Sequence, residues 1–382
     1  MTNNHSVGDG EALANATKEL ERLRLTLRGV WMRHRPPQNI KGASGKSIQQ
    51  LVIDDDELVF RIISAFRKAD MTPLGPLDSM WLGSIATIRN AEHRTMQQGS
   101  EHDVQTMLRN PRQTKLFYGF EFDDLFTIHS HIPPWDEWNY DCLCRLAEAV
   151  GTVRLEYPEA PAGAAARIQE VEDILIGLDR AFGFKIQFPN VFPNEFGLLT
   201  TRGVASFRAV QSLFQAWRIF ELVERRSSAR VLEIGAGLGW TTYFVRQFGI
   251  ENYSIIDLPL TNAAQAYFLG RVIGSDAIQL FGEEKIRPMK IFPPVSFFDV
   301  KDHYDLILNV DSLTEMARTT AEAYMREISV RTPLFLSINH EFNGFTARQV
   351  IDTIPKLRVV RAPYWLRRGY VEELVYTSAN GL

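Results

Sequence analysis

Through the first two hundred residues the apolar positions mostly recur three and four apart, the period of helices with one buried face. From Glu11 to about His34, Leu13, Ala16, Leu20, Leu23, Leu27 and Val30 form such a stripe, backed by Arg22, Arg24 and Arg28. It spans fewer than three heptads, so packing on the same chain and packing on a second copy both remain open. Pro36-Pro37 ends it, and Gly42 to Lys46 (GASGK) reads as a loop lacking the opening and preceding strand of a phosphate loop. Helical patterns follow over Asp56–Lys68, Leu77–Gln98, Glu101–Arg109, Asp136–Val150 and Ala166–Phe182. Between them, Lys115–His131 could hold an extended pair, and Ala160–Ala165 reads as a linker. Phe184–Leu199 is aromatic and broken by prolines, which excludes a long helix or a central strand. An amphipathic helix from Ser206 to Glu224 then runs into Arg230.

Beyond Arg230 short apolar runs alternate with helical stretches. The expected strands are Val231–Ile234, Tyr253–Ile256, Ile278–Phe281, Tyr304–Val310, Leu334–Ile338, Leu357–Arg361 and Glu373–Thr377. Helices are expected over Trp240–Phe248, Thr261–Ile273, Thr314–Val330 and Phe345–Ile354, with Glu283–Val300 irregular. Strands alternating with helices imply an α/β fold with a mainly parallel sheet covered on both faces. The last two strands lack an intervening helix and pair as an antiparallel hairpin. The expected division is a mainly α-helical unit, 1–199, followed by a seven-stranded Rossmann-like unit, 200–382.

The first strand runs into glycines at alternate positions, Gly235, Gly237 and Gly239, and the second ends on Asp257. Strand, glycine turn, helix, strand and terminal acid make a nucleotide-type ligand site. A dinucleotide turn, G-x-G-x-x-G, would place bulky Trp240 at its third glycine. It would also put the carboxylate of Glu233 beside a pyrophosphate, which prefers bare N–H groups. The E-x-G-x-G-x-G turn followed by IIDLP resembles the Rossmann-like methyltransferases that use S-adenosylmethionine (SAM). SAM carries an ammonium and a sulfonium and no phosphate, so a nearby acid suits it. The resemblance implies cofactor contacts from Glu233, Gly235, Ala236, Gly237, Gly239, Asp257, Leu258 and Asn309, with Asp257 accepting from the ribose hydroxyls.

Composition narrows the setting. The chain has 382 residues, 45% of them hydrophobic, enough for a large buried core. A net charge of −4 without a basic domain argues against a nucleic-acid substrate. Cys142 and Cys144 stand one residue apart, too close for an unstrained disulfide, which points to a reduced, cytoplasmic setting. The opening MTNNHSVGDGEA has no signal-peptide pattern, and no apolar run is long enough to span a membrane. His129, His131, Cys142 and Cys144 do not have the spacing of a zinc site.

YSIIDLPLTNAAQAYFL at Tyr253–Leu269, DLILNVDSLTEM at Asp305–Met316 and LFLSINHE at Leu334–Glu341 resemble the sugar O-methyltransferases. That resemblance covers about Phe196 to the C-terminus. It implies the strand order 3-2-1-4-5-7-6 and methyl transfer from SAM to a hydroxyl of a sugar or glycosylated metabolite. In open parallel sheets the ligand crevice lies beyond the carboxyl ends of the strands, where Glu233, Asp257, Asp311 and His340 stand. A sugar hydroxyl needs a base or a metal to help it attack. His340 is the preferred base, since an imidazole is substantially neutral at pH 7. Asp311 orients it, accepts a proton itself or binds a substrate hydroxyl; Glu315 and Glu341 stand close by in sequence. Asp311, Glu315 and Glu341 could instead hold Mg²⁺, in place of a metal-free site. Other readings are a non-sugar small-molecule O-methyltransferase and a non-catalytic SAM-binding scaffold. The N/D-P-P-Y motif of amide and base N-methyltransferases is replaced here by Asn309-Val310-Asp311-Ser312.

Overall fold

The computed structural model describes Thr17 and residues 44–46, 55–72, 89–116, 135–155 and 169–377. The stripe from Leu13 to Val30, His129 and His131, and the linker at 160–165 therefore lie outside the described residues, apart from Thr17. So does 77–88 of the helix expected over Leu77–Gln98.

Two sheets are present among the described residues. The smaller has three antiparallel strands, β1 (Ser44–Lys46), β2 (Phe196–Thr200) and β3 (Gly203–Ala205). GASGK is thus not all loop, because Ser44–Lys46 pairs with Phe196–Leu198 about 150 positions downstream. The boundary drawn between 199 and 200 falls inside β2.

The larger sheet contains β4 (Val231–Ile234), β5 (Tyr253–Ile256), β6 (Ile278–Leu280), β7 (Met289–Phe292), β8 (Leu306–Val310), β9 (Leu334–His340), β10 (Arg358–Pro363) and β11 (Tyr370–Tyr376). Their spatial order is β10-β11-β9-β8-β4-β5-β7-β6, parallel from β6 to β9 and antiparallel through the final hairpin. This is a Rossmann-like α/β sheet containing the order 3-2-1-4-5-7-6, but with eight strands rather than seven. The additional strand is Met289–Phe292, inside the stretch expected to be irregular. Pro288 and Pro293 stand just outside it, so they bound the strand without costing it a ladder hydrogen bond. It takes the place beside β5 that Ile278–Phe281 was expected to fill, and moves β6 to the edge.

Helices among the described residues are α1 (Asp56–Asp70), α2 (Asn90–Gln98), α3 (Glu101–Arg109), α4 (Trp135–Val150), α5 (Val171–Phe182), α6 (Phe207–Leu222), α7 (Trp240–Gln247), α8 (Pro259–Ile273), α9 (Pro294–Asp299), α10 (Arg318–Arg331) and α11 (Ala347–Ile351). The helix expected from Ala166 begins at Val171, and the one expected from Thr314 begins at Arg318, after a 3-10 turn over Leu313–Glu315. Cys142 and Cys144 are buried in α4 and are not joined in a disulfide. No helix among the described residues is long and apolar enough to cross a membrane.

One hydrophobic cluster runs from Leu58 in the first helices to Leu374 in the last strand. Helix α8 is buried almost all round because α1 lies on its outer side, with Leu58, Val59, Ile62, Ile63, Phe66 and Ala69 buried. The approach is close, since a Cβ on Gly270 would meet the methyls of Leu58 at 2.7 Å. Phe66→Ala would leave a cavity costing about 3–5 kcal/mol. Buried Asp55 closes the same contact, accepting from Arg109 (2.5 Å), Tyr267 (2.6 Å) and Gln105 (2.8 Å). Burial pushes its carboxyl up, but the bonds from Arg109 and then Tyr267 outweigh it and hold it below its usual range.

Candidate functional site

The glycine turn leaves the carboxyl end of β4 with all three glycines in left-handed conformations: Gly235 at φ +74°, Gly237 at +57° and Gly239 at +97°. Side chains resist such angles. At Gly235 space forbids one as well, because a Cβ would meet Ser312 Oγ at 2.1 Å. Gly239 then serves as the N-cap of α7.

Asp257 is gathered onto this turn. Its Oδ1 accepts from the N–H of Leu258 (2.8 Å) and its Oδ2 from Gln265 Nε2 (2.7 Å). The same Gln265 amide donates to the carbonyl of Gly237 (2.8 Å), clamping turn to acid. Asn262 Nδ2 donates to the Asp257 carbonyl at 2.9 Å. Burial raises the Asp257 carboxyl to about 6 against these hydrogen bonds, with Ala236 N–H and the Arg89 charge also favouring the anion. Gln265 Oε1 and Asn262 Oδ1 are buried acceptors without a partner among the described residues. Gln265 and Asn262 were not among the residues expected to form the site. A signal existed: both are amides in an otherwise apolar helix, five and eight positions after Asp257.

Glu233 is placed differently from Asp257. It is 2% exposed, and its Oε2 accepts from the Tyr253 hydroxyl at 2.8 Å. Burial pushes its carboxyl up to about 8, so it is mostly uncharged at pH 7. Asn309 is wholly buried and its amide is fully used: Nδ2 donates to Ile234 O (2.9 Å) and Ser312 Oγ (2.6 Å), while Oδ1 accepts from Leu313 N (3.1 Å) and Asn339 Nδ2 (3.0 Å). Asn309 therefore braces the glycine turn from the neighbouring strand end.

Just past β8, Asp311 sits at φ +56°, a costly angle for a residue other than glycine, and its N–H donates to Ile338 O at 2.8 Å. This bond brings it beside His340, the last residue of β9; His340 Nε2 lies 3.4 Å from Asp311 Oδ1. His340 Nδ1 accepts from the N–H of Phe342 at 3.2 Å, so the neutral ring carries its hydrogen on Nε2, facing Asp311. Tyr370 donates its hydroxyl to Asp311 Oδ2 at 2.6 Å, and Arg367 Nη1 lies 3.7 Å from the same oxygen. These two partners come from the final hairpin and were not anticipated.

The other two acids do not join this pair in the same way. Glu341 turns to Arg361, 2.9 Å away, which also holds Glu373 at 3.1 Å. Glu315 is half-buried in the 3-10 turn, so the α-helical spacing that would align it with Asp311 does not apply. Among the described residues no three histidine, cysteine or acidic groups gather as metal ligands.

No protein-family model matches the chain, and no curated protein matches it. Among solved structures it is similar to the mitomycin 7-O-methyltransferase MmcR, with 13% identity and a TM-score of 0.34 over 85% of this chain and 96% of that one. It is similar also to magnesium protoporphyrin IX methyltransferase ChlM from Synechocystis PCC 6803 with bound SAM, at 11% identity, TM-score 0.31, 44% and 83% coverage. The CcbJ methyltransferase from Streptomyces caelestis stands at 10% identity, TM-score 0.34, 44% and 90% coverage. Likenesses this distant add nothing to the fold, which rests on the strand order itself.

Proposed function

We propose that the chain is a SAM-dependent O-methyltransferase whose acceptor is a hydroxyl of a sugar or glycosylated metabolite. The observation that carries the reading is the shared rim: a glycine turn clamped to Asp257 stands one strand from an Asp311–His340 pair. The donor set suits SAM. Asp257 offers a carboxylate to a diol, while the unpartnered Gln265 and Asn262 oxygens beside it can accept from a nucleoside. Glu233 does not fit the role of an anionic partner for the ammonium, being turned to Tyr253 and mostly protonated.

When bound, SAM supplies an electrophilic methyl group on sulfur. The glycine backbone and Asp257 hold the nucleoside, and the rim fixes the acceptor oxygen in line with that methyl, which is where positioning contributes most. His340 accepts the acceptor's proton. With Nε2–H directed at Asp311, the lone pair available for it is on Nδ1, so the acceptor hydroxyl takes the place of the Phe342 N–H. Asp311 then faces the charge that develops on the imidazole. Phe342, 93% exposed beside that atom, offers an apolar surface to the acceptor.

The helical unit before β2 covers the acceptor side in this reading. Arg145 of α4 donates to Trp365 O at 3.0 Å and Trp365 Nε1 donates back to Arg145 O at 3.1 Å, tying that unit to the hairpin loop that carries Arg367. Incubation of the purified chain with SAM and a panel of glycosides, with mass detection of a methyl gain, tests the proposal. Methyl gain on a non-sugar phenol alone would redirect it to a different acceptor class.

A further inference from the structure

Asp311 is held from a side that the pairing with His340 does not account for. Residues of β11 lie opposite those of β9, and Tyr370 stands directly across from His340. From there the Tyr370 ring meets the imidazole edge-on, with centroids 5.5 Å apart and planes at 75°. Its hydroxyl passes the imidazole and reaches Asp311 Oδ2 at 2.6 Å. The Arg367 guanidinium stacks on the phenol ring, 4.1 Å from its centroid. Both hairpin groups act on Oδ2, and Oδ1 is left without a hydrogen-bond partner among the described residues, 3.4 Å from His340 Nε2.

We infer that Tyr370, with its ring backed by Arg367, is a positioning residue that fixes the Asp311 carboxylate so that Oδ1 faces His340 Nε2–H and the imidazole keeps Nδ1 as its proton-accepting atom. A carboxylate on a backbone at φ +56° has two torsions free to turn it from the imidazole, and the 2.6 Å phenol bond removes that freedom. Burial raises the Tyr370 hydroxyl well above its usual range, so at neutral pH it is protonated and can donate. Among the described residues, Asp311 just past β8 faces the imidazole, Arg367 of the hairpin lies beside Asp311 and Tyr370, and Arg208 of α6 acts on Tyr370. Glu341 is directed away to Arg361.

Tyr370 has this role only if the chain transfers methyl groups as proposed, whereas its effect on His340 can be read without acceptor or cofactor, so the two ideas can fail separately. Long-range proton–nitrogen correlation spectra of the ¹⁵N-histidine-labelled full chain report which ring nitrogen carries hydrogen. His340→Gln assigns the signals. In the wild type the two His340 nitrogens should be widely separated, with hydrogen on Nε2. In Tyr370→Phe, which keeps the ring and removes only the donor, the two shifts should converge as Asp311 swings free and both tautomers become populated. A wild-type spectrum with hydrogen on Nδ1, or a Tyr370→Phe spectrum matching the wild type, would overturn the assignment.

Discussion

The two ends of the candidate rim are built from different materials. Around Gly235 the site is made by backbone: three left-handed glycines and main-chain groups whose positions follow from one strand–turn–helix segment. Around His340 it is made by side chains from β8, β9 and the final hairpin, where Asp311, His340, Arg367 and Tyr370 meet across almost sixty positions. A backbone-built site tolerates almost no change of residue type at its turns. A side-chain-built site tolerates change in steps, each removing one contact. The contrast predicts all-or-none losses on the cofactor side and graded losses on the acceptor side.

The largest effect is expected at Gly235. A valine there would meet Ser312 Oγ and force a left-handed angle costing about 1–3 kcal/mol for the backbone alone. Gly235→Val should abolish measurable SAM binding in calorimetry and lower the melting temperature; normal binding would break the comparison at its stronger end.

On the acceptor side, His340→Ala should lower turnover by about 10²–10⁴-fold, the usual contribution of a general base, while SAM affinity holds. Equal activity in the two proteins at every pH would remove His340 from the chemistry.

Asp257 sharpens the comparison, because it is a side chain serving the backbone-built end. Asp257→Ala should weaken SAM binding by about 1–3 kcal/mol, a graded loss. Because burial raises this carboxyl to about 6, wild-type affinity should also fall as pH drops below that value and the acceptor oxygen becomes protonated. The variant should lose this pH dependence in the same titration.

The smallest effect on binding is expected at Glu233. Its carboxyl is raised from an ordinary 4.5 to about 8, so between those values the folded chain binds more protons than the unfolded one. Stability should therefore decline as pH rises from about 4.5 to about 8. Glu233→Gln should flatten that part of the profile in chemical denaturation, with SAM affinity little changed. A large loss of affinity would return Glu233 to the cofactor.

The same contrast explains what could be read from the sequence. The glycine turn and Asp257 were legible because left-handed angles demand glycine and the spacing is local. The Asp311–His340 pair was legible only as two neighbouring strand ends. Tyr370 was not, since its link to Asp311 depends on the register of an antiparallel hairpin that no local pattern states. Glu233 looked like a rim residue because it precedes the turn. The alternation of a strand instead sends its side chain to Tyr253, one of the largest fully buried side chains. Met289–Phe292 was hidden by prolines that flank it, and Ser44–Lys46 by a partner strand about 150 positions away.

The most direct measurement is an equilibrium titration of the purified wild-type chain with SAM and, separately, with NAD at neutral pH. SAM should bind at one site per chain and NAD should not bind, because bulky Trp240 stands where the third glycine of a dinucleotide turn would be. Binding of NAD with no binding of SAM would contradict the proposed function outright.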